Sequence, residues 1–216
     1  LKEWTAKNST GEDFTITDEH NTRTEEYLEI LDCFYNGMMS NVSWEMHQLL
    51  VYWEQNMAAL RSIPMATTDQ PPQRLIYDRS CFDAHTFMSL YLTDTEYKSL
   101  LPLYHHLVTR FMKLCADKSF KIQPVVMTKP HKVAWKQFLT RDRSHEVKSF
   151  SKETYLQYLV EYERATENTH EMLRQHFGEE LILPTQHLNA TSLPELLHDF
   201  SRAIGCPKLL TRSSDP

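Results

Sequence analysis

Arg74-Leu75-Ile76-Tyr77-Asp78-Arg79-Ser80 is the stretch on which the reading of this chain turns. Leu75, Ile76 and Tyr77 in a row, after a loop through Pro71-Pro72, predict a short strand. An acid and an arginine close it, and a helix is predicted over about residues 80–92. Further on, Lys121 to Thr128 carries Ile122, Val125, Val126 and Met127, a second and largely apolar strand that suggests a buried parallel position. Pro130 then suits the first turn of a helix, because its fixed φ belongs there and no needed N–H is lost. That helix carries Val133, Ala134, Phe138 and Leu139 to Arg141-Asp142-Arg143-Ser144-His145-Glu146. Acid plus arginine at a strand's end, with an arginine cluster on a later lid-like segment, suits a protein that handles phosphates. G-x-x-x-x-G-K-[ST] does not occur, and the chain has only 4 glycines, so a cradle for ATP is not in these residues.

Working outward, residues 5–23 are polar and predict a long loop. Tyr27, Leu28, Ile30, Leu31 and Phe34 recur at helical spacing between Thr24 and Tyr35. A longer helix is predicted from Trp44 to Leu60, carrying Met46, Leu49, Leu50, Tyr52, Trp53 and Met57. Asp94-Thr95-Glu96 starts a helix over 95–116, and Ser151-Lys152-Glu153-Thr154 opens an amphipathic one to Phe177. Leu181-Ile182-Leu183 predicts a third strand, and Ser192-Leu193-Pro194-Glu195 a last helix to about Gly205. Strands alternating with helices predict an α/β domain, a parallel sheet with helices on both faces, over residues 1–206. Residues 207–216 form a polar tail.

Composition narrows the function. The chain has 216 residues, 41% hydrophobic and 24% charged, as an ordinary globular domain does. A net charge of -6 argues against a general nucleic-acid binder, whose affinity rests on many Lys and Arg. No apolar run has the length of a membrane span. Cys33, Cys81, Cys115 and Cys206 show no metal spacing and read as free thiols in a reducing, intracellular compartment. Asn8-Ser9-Thr10, Asn41-Val42-Ser43 and Asn189-Ala190-Thr191 are sequons of a kind common by chance. Leu1 in place of Met suggests a processed or truncated product, or numbering that begins inside a longer protein.

The order of these features resembles the deoxynucleoside kinase family, which is related to the herpesvirus thymidine kinases. The likeness runs from Trp4 to the last helix. Leu1-Lys2-Glu3-Trp4 resembles the segment just after that family's Glu-Pro. Tyr35, Gln48, Asp78-Arg79-Ser80, Thr128-Lys129-Pro130, Arg141-x-Arg143-x-x-Glu146 and Tyr155-Leu156 then come in the family's order. The resemblance implies a three-layer, P-loop-kinase-like fold that here lacks the family's first strand and P-loop. It implies phosphoryl transfer from ATP, with Mg²⁺, to the 5′-hydroxyl of a pyrimidine deoxynucleoside such as thymidine. Gln48 would read the base between Trp4, Phe87 and Met88, while Tyr35 and Glu146 would clamp the 3′-hydroxyl. Arg79, Arg141 and Arg143 would neutralise the transferred phosphoryl, and Asp78 would hold Mg²⁺. Ala84, where deoxycytidine-preferring relatives carry an acid, resembles thymidine-accepting members. A homodimer and a cytoplasmic or mitochondrial setting are the family's default, viral origin included. Without the cradle, these residues alone are expected to show little or no catalysis.

The pattern departs from the family in the long polar insert after Trp4 and in the wider spacing of Tyr35 and Gln48. Each residue also has a plain structural reading. An Arg-x-Arg at a helix end complements the helix dipole. Asp78-Arg79-Ser80 can be a cap with a surface ion pair, Trp4, Phe87 and Met88 can be core, and Gln48 a surface side chain. A second class of function therefore stands beside the kinase: a non-catalytic relative used as an interaction module in a larger complex, as in the accessory subunit of respiratory complex I that resembles this family.

Overall fold

The structure, a computed structural model, describes residues 4–7, 13–17, 25–63, 74–77, 79–140 and 150–189. Its elements run in the order β1 (Trp4–Lys7), β2 (Asp13–Thr17), α1 (Glu25–Tyr35), α2 (Asn41–Ser62), β3 (Arg74–Tyr77), α3 (Asp83–Tyr91), α4 (Asp94–Asp117), β4 (Val125–Thr128), α5 (His131–Leu139), α6 (Lys152–Phe177) and β5 (Gln186–Asn189). The chain is helix-rich with a small parallel sheet component. The predicted helix over 192–205 and the polar tail lie outside the described residues.

The helices begin where local chemistry satisfies their first N–H groups. Ser40 Oγ accepts from the Ser43 N–H at the start of α2, and Ser151 Oγ accepts from Thr154 at the start of α6. At α4 the Thr93 hydroxyl accepts from the Glu96 N–H while the Glu96 carboxylate accepts from the Thr93 N–H, a reciprocal capping box. Pro102 lies inside α4, where it supplies no helical hydrogen bond.

Packing is centred on the helices. Leu49 and Leu60 of α2, Met88 of α3, and Tyr104, Val108 and Met112 of α4 are each no more than 2% exposed. Burial of one such side chain contributes about 1.5–3 kcal/mol, so the seam of these helices is the main source of stability. Leu173 of α6 and Ile182 join this core, and Leu75 and Tyr77 of β3 and Ile122 pack against it.

The strands depart from expectation in three ways. Residues 5–23 are not all loop: β1 and β2 pair antiparallel, Trp4 opposite Ile16 and Lys7 opposite Asp13. Asp13-Phe14-Thr15-Ile16-Thr17 alternates polar and apolar residues, a period-two signal hidden in polar composition. Secondly, the sheet is mixed and divided. β2 runs parallel to β3, with Phe14 opposite Arg74 and Thr17 opposite Tyr77. β4 runs parallel to β5, with Val125 opposite Gln186. Among the described residues these form separate sheets, β1-β2-β3 and β4-β5.

Thirdly, the third strand is displaced. Leu181-Ile182-Leu183 makes one bridge, Ile122 opposite Ile182, and the strand itself is β5. The Ile122 N–H donates to Leu181 O and the Leu183 N–H to Ile122 O, both proper ladder bonds. The ladder then meets Pro124 on one side and Pro184 on the other, neither with an N–H to donate. It resumes where the Gln186 N–H reaches Pro124 O. β4 is also half-buried rather than fully covered, and its Met127 is 53% exposed.

Candidate functional site

β3 delivers the chain into a tight turn before α3, and α2 fastens that turn. Asn56 of α2 is 1% exposed, and its Oδ1 accepts the Cys81 N–H at 2.7 Å. Tyr77 donates its hydroxyl to the Asn56 carbonyl at 3.1 Å. Within the turn, the Ser80 N–H and hydroxyl donate to Asp83 Oδ2 at 2.7 and 3.2 Å. Arg79 sits in this turn at φ 68, the left-handed region that side chains beyond glycine rarely occupy. Its guanidinium carbon lies 5.0 Å above the Phe87 ring, a cation–π geometry. The residue is exposed, and its planar head has the shape for a two-oxygen contact with phosphate.

A second tie fixes the register of α2 on α3. The Asn41 amide donates to the Tyr91 carbonyl at 3.1 Å. With Asn41 at Tyr91 and Asn56 at Cys81, the two helices run antiparallel. Gln48, midway between the ties on α2, therefore comes opposite the part of α3 that holds Ala84, Phe87 and Met88.

The predicted residues fall into three groups. Gln48 is 6% exposed, and its amide Nε2 has no hydrogen-bond partner among the described residues. Ala84 and Met88 are fully buried, Phe87 is half-buried under Arg79, and Tyr35 ends α1 half-buried with its ring edge-on to Phe34. Tyr35 and Arg79 both act on the Tyr91 hydroxyl of α3, the helix on which the two ties register Gln48. Trp4 opens β1, separated from β3 by β2. Asp78, Arg141, Arg143 and Glu146 lie outside the described residues.

Tyr91 reads out the electrostatics of the neighbourhood. Desolvation pushes its hydroxyl up, a hydrogen bond with Tyr158 opposes this, Tyr35 and Glu45 push it further up, and Arg79 pulls it down. Groups on α1, α2 and the turn before α3 therefore act on this hydroxyl, and α6 bonds to it. Rings continue from Phe87 through Tyr162, Tyr158, Phe150 and Tyr155 to Trp135, with no step between centroids above 6.2 Å.

Glu45 is the residue that sequence reasoning missed. It is 1% exposed, neither carboxyl oxygen has a partner among the described residues, and burial raises its carboxyl to about 8. A signal existed in the helical phase. Assigning Met46 and Leu50 to the buried stripe sets it one residue off, since these are 40% and 37% exposed, whereas Glu45, Leu49, Tyr52 and Asn56 point inward.

Sequence reasoning also passes over His85. Thr169 donates its hydroxyl to the Ala165 carbonyl, so it accepts from His85 Nδ1 at 2.8 Å, and Tyr97 donates to His85 Nε2 at 2.7 Å. The ring is neutral, its basicity lowered to about 4 by burial first and His105 second. It joins α3 to α4 and α6 as a structural link.

The chain matches no known family model and no curated protein.

Other features offer less. A cavity of about 110 Å³ between α4 and α6 is lined by Tyr104, His105, Val108, Leu173, His176 and Phe177 among others. A surface cleft of about 270 Å³ involves Glu167, His170, Arg174 and His187. Neither includes a predicted site residue. Among the described residues, no group of His, Cys, Asp and Glu could hold a metal ion, and no helix is long and apolar enough to cross a membrane. Cys81 and Cys115 are buried free thiols, Cys115 pushed up to about 12 by desolvation, so neither is a ready nucleophile.

Proposed function

We propose that this protein is a deoxynucleoside kinase with the three-layer, P-loop-kinase-like α/β fold, acting on a pyrimidine deoxynucleoside such as thymidine. The observation that carries the reading is Gln48, a buried amide whose Nε2 has no hydrogen-bond partner among the described residues. A base-reading glutamine needs that state: desolvated, held by its helix, and unsatisfied until a base edge arrives.

Arg79 supports the same reading. Phosphoryl transfer spreads charge over the equatorial oxygens, and catalysis consists mainly of positioning and cationic stabilisation. An exposed guanidinium fixed at a strand's end meets that requirement, with Arg141 and Arg143 as its proposed partners. Tyr35 and Glu146 are the proposed clamp for the sugar, Trp4 a proposed wall of the base slot, and Ala84 leaves room on the thymine side. Asp78 is the proposed Mg²⁺ ligand. The described residues contain neither a metal donor set nor a glycine-rich phosphate loop. A homodimer in the cytoplasm or mitochondrion completes the proposal.

Isothermal titration of the chain with thymidine and deoxycytidine, with a ribonucleoside as control, tests it. Saturable binding that prefers the deoxy sugar is expected. Binding of no nucleoside by a demonstrably folded chain would refute the site and leave the interaction-module reading.

A further inference from the structure

Glu45 and Gln48 stand three residues apart on the buried side of α2, which makes their side chains neighbours. Glu45 is 1% exposed and Gln48 6%. Both oxygens of Glu45 and Nε2 of Gln48 lack a hydrogen-bond partner among the described residues. Each unsatisfied buried polar atom costs free energy that a packed apolar side chain would not. Two such groups together, on a helix fastened to α3 at Asn41 and Asn56, point to partners supplied by a bound molecule. The Glu45 carboxyl acts on the Tyr91 hydroxyl of α3 together with Tyr35 and Arg79.

Burial keeps the Glu45 carboxyl protonated at neutral pH, since its basicity is raised to about 8. A protonated carboxyl donates one hydrogen bond and accepts at its other oxygen, and the Gln48 amide donates and accepts beside it. A pyrimidine base presents three polar groups in a row along one edge, more than a single amide can meet. We propose that Glu45 is a second base-reading residue beside Gln48, its O–H donating to a carbonyl of the bound pyrimidine. This rests on the nucleoside reading of Gln48 above.

The test is titration of the full chain and of Glu45→Met and Glu45→Gln with thymidine and with deoxycytidine. Glu45→Met keeps the length of the side chain and removes the donor. It is expected to weaken thymidine binding about tenfold, the equivalent of one hydrogen bond. Glu45→Gln always carries an N–H donor and is expected to retain thymidine affinity within about threefold. Both variants are expected to melt no lower than the parent, since each removes a buried ionisable carboxyl. No change in thymidine affinity in Glu45→Met overturns the role of Glu45 while wild-type binding keeps the site. Should Glu45→Met fail to fold, a tenfold loss of thymidine affinity in Glu45→Gln overturns it, and retained affinity supports it. If the folded wild-type chain binds neither nucleoside, the Gln48 reading falls and this inference with it.

Discussion

Arg79 adopts φ 68 and carries a full side chain there. The left-handed conformation costs an L-residue about 1–2 kcal/mol, from which glycine is exempt. Arg79→Ala and Arg79→Gly remove the same guanidinium but differ in that cost. Arg79→Gly is expected to be the more stable of the two by about 1 kcal/mol in chemical denaturation. Equal stabilities would show that the turn relaxes without its strain. In a complete, active protein both are expected to abolish phosphoryl transfer while still folding. Unfolding of Arg79→Ala would make the residue a structural cap instead.

Two buried titrating groups pull stability in opposite directions with pH. Glu45 holds its proton up to about 8 against a starting value of 4.5, so its contribution is intact below 4.5 and is lost as pH rises to 8. His85 resists protonation down to about 4 against 6.5, so its contribution is intact above 6.5 and is lost as pH falls to 4. Each slope is at most about 1.4 kcal/mol per pH unit. Between 4.5 and 6.5 they oppose each other, and above 6.5 Glu45 acts alone. Melting temperature measured from pH 6.5 to 8 is expected to fall in the wild type and to stay level in Glu45→Gln. A parallel decline in both would assign the effect to another group.

Among the elements, α3 depends on α2 for its beginning. Asn56→Ala leaves the Cys81 N–H buried without an acceptor and is expected to cost about 1–3 kcal/mol. Thr93→Ala removes the exposed cap of α4 and is expected to cost about 1 kcal/mol. Denaturation midpoints that rank these two the other way would mean that the turn is held by Asp83 rather than by α2.

Legibility in the sequence divides in the same way, between local and long-range causes. The starts of α4 and α6 were legible because a cap and its partner are three residues apart. The strand at Arg74–Tyr77 and the turn after it were legible from an apolar run that gives way to polar residues. β1 and β2 were not, since the pairing of β2 with β3 is long-range and the residues of both strands are mostly polar. β5 was displaced because two prolines on different segments face each other, which neither segment reveals alone. Of the candidate site, Gln48, Arg79 and Phe87 were proposed from their order along the chain. Glu45 was not, because burial of a carboxyl is decided by the helices packed around it.

At the scale of the whole molecule, stability is concentrated where α2, α3 and α4 meet, while β4 and β5 are short and half-buried. Native-state hydrogen exchange is expected to be slowest around Leu49, Tyr104 and Val108 and much faster in Val125–Thr128. Uniform protection across both would contradict a helix-centred core.

The row of rings from Phe87 to Trp135 has an optical consequence. Tyrosine absorbs at shorter wavelength than tryptophan, so excitation deposited along Tyr162, Tyr158 and Tyr155 can migrate to Trp135 and emerge as its fluorescence. Trp135 sits on α5, the helix that leads into Arg141, and reaches the row through Tyr155 at 5.4 Å. The protein thus carries an unlabelled light gauge of whether α5 remains seated on α6.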